Sequence, residues 1–195
     1  MAITDKEKGV WGLDQVYNKI NQGSIWDYSG ASVLHFWNYN NWGRFGLNYV
    51  GSPSNPSSLS GNRASSPIQI PDSSNWKFPK SKIGSPWVVR TDGTLWVWGY
   101  NDVGVLGLNQ GNVFYSSPVQ IPGTTWSSIC GSQGNAYWMV ATKTDNTLWA
   151  WGYNEYGNLG QNNKTVYSSP KQVPGTTWDY ISSGAGMIHA LKLIP

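Results

Sequence analysis

The segment Gly93–Asn101 (Gly-Thr-Leu-Trp-Val-Trp-Gly-Tyr-Asn) recurs 53 residues later at Asn146–Asn154, changed only at its first and fifth positions. The match runs on from Gly104, Leu106 and Gly107 to Gly157, Leu159 and Gly160. It continues from Tyr115–Pro118 to Tyr167–Pro170 and from Pro122–Trp126 to Pro174–Trp178. A diverged third copy lies upstream, in the same order: Leu34–Asn40, Gly43, Phe45, Gly46, Ser65–Pro71 and Trp76. A unit of about 52 residues cannot bury its own apolar surface, so copies must stack on one another, as in propellers and solenoids. Residues 49–62, rich in Ser, Pro, Asn and Gly, interrupt the first copy and read as an inserted surface loop.

Each unit reads as short strands. Alternation in Leu-Trp-Val-Trp places Leu95 and Val97 on one face and Trp96 and Trp98 on the other, so both faces are apolar and both need a neighbour. Thr91–Thr94 and Thr144–Thr147 lie between apolar strands. Their Asp-Gly and Asp-Asn pairs tolerate the positive φ of a tight hairpin turn. Pro-x-Gln-Ile/Val-Pro reads as an edge strand, because proline cannot donate within a central ladder. The expected fold is therefore all-β: three propeller-type blades over 33–195, preceded by an N-terminal arm over 1–32.

Thr-Asp-Gly-Thr-Leu-Trp-Val-Trp-Gly-x-Asn-x-x-Gly-x-Leu-Gly, followed by Ser-Pro-x-Gln-Ile, resembles the repeat of the regulator of chromosome condensation family over residues 33–193. The resemblance implies a propeller, usually seven-bladed in that family. The closing Ser182–Leu193 segment is similar to the family's Gly-Gly-x-His-Ser-Leu-Ala-Leu strand, with His189 in the histidine position. On that alignment Trp138 and Ser85 hold the place in the other copies. A structural strand role for His189 follows, and His35, in the column of Trp96 and Trp149, reads the same way.

Three units are too few to close a ring of about four to eight blades. The repeats begin at the strand Val33–Trp37 and finish, near Leu193, with strands that such a segment normally pairs with. The two are complementary halves. We expect a homo-oligomer in which Ile188, His189 and Leu191 of one copy edge against Leu34 and Phe36 of another. The alternative is an open stack whose edges are covered by the arm or by an assembly partner.

The arm has a different period. Val10, Leu13, Val16, Tyr17 and Ile20 recur at helical spacing, with Gly23 as a stop and Trp11 and Trp26 alongside. So short a helix needs a surface to dock on. The lead-in Gly9–Tyr17 with Gly23-Ser-Ile-Trp26 resembles the start of small tailed-phage, cyanophage-like, virion proteins that carry such repeats. That resemblance implies a virion location after synthesis in the host cytoplasm, with other virion proteins as partners.

Composition closes off several classes. Thirteen Lys and Arg against ten Asp and Glu leave a net charge of +3, with no basic stripe beyond Lys77, Lys80 and Lys82, so nucleic-acid binding is not expected. The N-terminus has no secretory apolar run, and no stretch nears the ~18 apolar residues of a membrane span, so membrane insertion is not expected. Cys130 is the single cysteine, which rules out a disulfide within the chain. With His35 and His189 it cannot supply a zinc cage, so no metal or cofactor is expected. No nucleophile–base pair, flanking carboxylates or phosphate loop appears, and no enzyme is expected.

Most tryptophans occupy repeat columns (37, 98, 151; 76, 126, 178; 96, 149) and read as blade packing. Trp42, with Tyr39, Tyr100, Tyr153 and Tyr156, could form an aromatic rim that contacts a host-surface glycan. Three function classes follow. The first is a virion structural component, as capsid decoration or tail- or fibre-associated protein. The second is a receptor- or glycan-binding adhesin module, and the third an exchange-factor-like or inhibitory propeller. The first is the preferred expectation.

Overall fold

The computed structural model describes residues 32–48, 63–70, 75–82, 85–131, 137–184 and 187–194. The chain divides into Met1–Gly30 and Ala31–Pro195, and every described residue belongs to the second unit. The arm residues Val10, Trp11, Leu13, Val16, Tyr17, Ile20 and Trp26, and the inserted loop 49–62, lie outside the described residues.

Among the described residues twelve strands run in order: β1 (His35–Tyr39), β2 (Arg63–Gln69), β3 (Trp76–Lys82), β4 (Ser85–Arg90), β5 (Leu95–Asn101), β6 (Val113–Ile121), β7 (Trp126–Gly131), β8 (Trp138–Lys143), β9 (Leu148–Gly152), β10 (Tyr167–Gln172), β11 (Trp178–Ser183) and β12 (Ile188–Lys192). All pair antiparallel. They form two four-stranded sheets, β3-β4-β5-β6 and β7-β8-β9-β10, and two two-stranded sheets, β1-β2 and β11-β12. The three repeats therefore fold as two whole blades and two half-blades, because the sequence repeat is out of phase with the sheet. β11-β12 matches the first half of each whole blade, and β1-β2 matches the second half. The proline-bracketed strands β6 and β10 lie at sheet edges, as their missing donors require.

Both faces of the central strands are buried, as the alternation predicts. Leu95 and Val97 pack with Trp126, Met139 and Trp151 of the next blade. Trp98 packs with Leu34, Ile70 and Trp76 on the other side. The loop after each such strand is organised by a buried asparagine. The Oδ1 atoms of Asn40, Asn101 and Asn154 accept from the backbone N–H of Phe45, Leu106 and Leu159 at 2.8, 2.9 and 3.0 Å. In the two whole blades its Nδ2 also donates to a loop carbonyl, from Asn101 to Gln110 and from Asn154 to Thr165. One side chain thus satisfies a buried donor and ties the loop to its own strand.

The hairpin turns contain a side-chain relay. Asp92 Oδ1 accepts from Thr94 N–H (2.9 Å) and Thr94 Oγ1 (2.7 Å), and Thr94 Oγ1 in turn accepts from the Trp96 indole (2.8 Å). Asp145, Thr147 and Trp149 repeat it. Gly93 and Asn146 take the positive φ of the turn, at 78° and 60°. Arg90 lies over Trp76 and Trp96, and Lys143 over Trp126 and Trp149, each cation within 5 Å of both ring centroids.

The strand register corrects one alignment made from sequence. Ser182 faces His189 as Cys130 faces Val140, so His189 occupies the column of Val140, not that of Trp138 and Ser85. The glycine-rich turn before β12 differs in length from the loops before β4 and β8, and motif matching alone slipped by two residues. A slip of two keeps the strand face, so the structural reading of His189 is unaffected.

Hydrogen bonds from Thr94 and Thr147 hold the Asp92 and Asp145 carboxyls below the usual Asp range. A depressed folded-state pKa contributes stability that is present above the unfolded value of about 3.9 and is lost as pH falls through the folded one. Replacing both residues by Asn should therefore flatten the fall in melting temperature between about pH 5 and pH 2 relative to the parent chain. An unchanged acid slope would contradict this assignment.

Candidate functional site: two open half-sheets

Neighbouring blades interlock through one repeated contact. The Trp98 indole donates to the Arg44 carbonyl at 2.8 Å, and the Trp151 indole donates to the Val105 carbonyl at 2.9 Å. Both tryptophans are completely buried. The loop each one enters must lack a side chain at the contact, since a Cβ on Gly46 or Gly107 would stand 3.1 or 2.8 Å from the indole nitrogen. Alongside, Asn48 N–H donates to the Ser116 carbonyl (2.8 Å) and Asn109 N–H to the Ser168 carbonyl (2.7 Å). A Cβ on Gly43 or Gly104 would strike the Ser116 or Ser168 backbone. Knob, socket and flanking backbone bond recur as a set.

At the two ends this set is split. Trp37 holds the column of Trp98 and Trp151 but is 61% exposed. The matching socket lies on the opposite face of the unit. It is an open cavity of about 500 Å³ lined by Val140, Ala150, Leu159, Gly160, Val173 and Trp178, among others. There a Cβ on Gly157 would meet nothing within 4 Å, and one on Gly160 only Val173 at 3.6 Å. Lys192 lies over one ring, Trp178, whereas Arg90 and Lys143 each lie over two. Met187, Leu191, Leu193 and Ile194 are exposed on and beside β12.

The predicted edge residues sort accordingly. Leu34 is buried and Phe36 half-buried, the latter edge-on to Trp98 at 5.7 Å, so their side chains are committed to this chain's own core. What β1 leaves open among the described residues is its backbone edge, since β2 is its one sheet partner there. On β12, His189 and Leu191 are exposed and Ile188 is half-buried. Sequence reasoning missed Trp37 by assigning its column to blade packing; the column is right, but no preceding blade stands among the described residues. The exposed end of that column was legible in the phase of the repeat.

The aromatic rim is brought together in parts. Trp42 packs on Tyr100 at 4.8 Å between centroids, Tyr100 lies edge-on to Tyr137 at 6.3 Å, and the Arg44 guanidinium sits over Trp42 at 4.8 Å. Burial lowers the Arg44 pKa. Tyr153 and Tyr156 form a separate edge-on pair at 6.0 Å. Tyr153 donates to the Glu155 carboxylate, and that bond pushes its pKa up to about 12. The Tyr39 side chain lies outside the described residues. Among the described residues, no group of three or more His, Cys, Asp and Glu is placed to hold a metal ion.

The regulator of chromosome condensation (RCC1) repeat model matches residues 92–136 and 145–191. Similar folds are found in human WBSCR16 (TM-score 0.63, 21% identity, covering 84% of this chain and 41% of that one) and in Prp20p from Saccharomyces cerevisiae (0.65, 15%, 84% and 40%). The chain is a partial β-propeller, with RCC1-type repeats over those matched residues. Yeast RCC1 (Prp20) in its complex with Kap60 also matches, with TM-score 0.64, 15% identity and coverage of 83% and 39%. The chain thus spans about two-fifths of the length of these propellers.

The interlock predicts a contrast within one column. Trp151→Ala should cost about 3–5 kcal/mol in urea unfolding, as removal of a buried indole does. Trp37→Ala, in a dilute unassembled chain, should cost under about 0.5 kcal/mol. Equal losses would contradict the assignment of Trp37 to an unfilled contact.

Proposed function

We propose that this chain is a non-enzymatic structural component that works by protein–protein docking at its two open half-sheets. The observation that carries this reading is the concentration, among the described residues, of unpaired strand edges and exposed apolar side chains at those ends, a combination that folded proteins otherwise suppress. The particle it belongs to is a virion on this reading, supported by the resemblance of residues 9–26 to phage lead-in segments. The arm is then its anchor. Hydrogen exchange on the chain within purified particles should show the β12 amides, Ile188–Lys192, protected, and deleting residues 1–28 should abolish incorporation. Freely exchanging β12 amides in particles, or normal incorporation without the arm, would count against it.

A second reading, a glycan-binding adhesin module, is favoured by Tyr156, 79% exposed beside Tyr153, because sugar rings stack on such faces. Trp42 fits less well, with its ring already engaged by Tyr100 and Arg44. On this reading Tyr156→Ala weakens retention on immobilised host polysaccharide by about tenfold, the scale of one lost aromatic contact. Unchanged retention would remove the case for it.

A further inference from the structure

The complementarity of the two ends goes further than an unspecified docking surface. We propose that two copies of this chain join head to tail, β1-β2 of each completing β11-β12 of the other, to close a six-bladed ring; this rests on the assembly reading above. Each copy brings two whole blades and two halves. Two copies make six blades, within the range that closes, whereas one copy makes three and three copies nine.

The geometry of the junction is already present twice inside the chain. At the β8-β9 pairing, Thr142 faces Leu148 and Ala141 faces Trp149. The equivalent pairs across the junction are Leu191 with the partner's Leu34, and Ala190 with the partner's His35. Strand alternation agrees with this. Leu34, just before β1, and Phe36 on it face the blade that follows in the chain, while His35 and Trp37 are exposed, turned to where a preceding blade would stand. On β12, Ile188 and Ala190 pack on the preceding blade, and His189 and Leu191 are exposed toward a following one.

Trp37 then enters the partner's cavity as Trp151 enters the socket at Gly107. Its indole donates to the carbonyl of the partner's Asn158, the residue in the place of Arg44 and Val105. Ser65, in the column of Ser116 and Ser168, offers its carbonyl to the N–H of the partner's Asn162, which shares the positive φ of Asn48 and Asn109. His35 supplies the second ring over the partner's Lys192. Every element of the internal interlock has a counterpart, and the head-to-tail contact closes after two copies with a two-fold axis.

The test uses the full chain. Light scattering at about 50 μM should give twice the 21.5 kDa chain mass. Trp37→Ala should weaken dimerisation at least about 30-fold, as loss of a central buried indole does, with the circular dichroism of the unassembled chain unchanged. Mild oxidation should link two copies of the His35→Cys/Ala190→Cys variant. It should not link the His35→Cys/Leu191→Cys variant, whose second thiol lies on the other strand face. A monomer at 50 μM, a larger assembly, a dimer indifferent to Trp37→Ala, or linkage in the second variant alone would each overturn the proposal. If a monomer in solution nevertheless shows protected β12 amides in particles, self-closure fails and the assembly reading stands.

Discussion

One interaction sets the architecture: a tryptophan indole from each blade crosses to the preceding loop and donates to its carbonyl. A buried indole N–H gains from an acceptor, and at both contacts the preceding loop presents a carbonyl at the same place. The indole also needs room, which calls for glycine at the point of approach. The asparagine that organises each loop and the glycine at Gly107 follow from that requirement, while Gly104 leaves room for the flanking Ser168 backbone. So does the two-faced burial of β5 and β9, because a strand that carries such a knob on one face must offer a socket lining on the other.

The same interaction explains why the ends of the unit differ from its middle. A stack of interlocking blades has one terminal knob and one terminal socket, and neither can be satisfied within the stack. In this chain the half-sheets sharpen the asymmetry, because the sheet itself is divided between the two ends. Trp37 stands out from one end, and the cavity beside Leu159 and Gly160 is open at the other. The exposed apolar residues are a direct result of the blade repeat ending at each side, and they specify a shape as well as hydrophobicity.

Much of the fold could be read from the sequence because the repeat is written in residues whose physics is narrow. Trp-x-Trp alternation, Asp-Gly turns and proline-bracketed edges each admit few conformations, and together they locate the blades and their division into halves. Register was harder. The place of His189 depends on the length of an irregular turn, which motif matching does not constrain. Burial at the ends was harder still, since Trp37 and Trp98 share a column but only the second has a preceding blade. The Asp-Thr-Trp relay left a trace in the Thr-Asp-x-Thr-Leu-Trp motif, but spacing alone does not reveal that the threonine hydroxyl links the other two. Trp42 read as a surface aromatic, yet its engagement with Tyr100 and Arg44 depends on contacts no motif encodes.

On this geometry the two half-sheets are parts of one blade, shared between two copies. Electron cryo-microscopy of the purified assembly tests it most directly. A closed ring of six blades built from two chains is expected, with two blades each showing β11 and β12 of one copy continuous with β1 and β2 of the other. A ring completed by any other element, or an open stack with β1 and β12 unpaired, would contradict it.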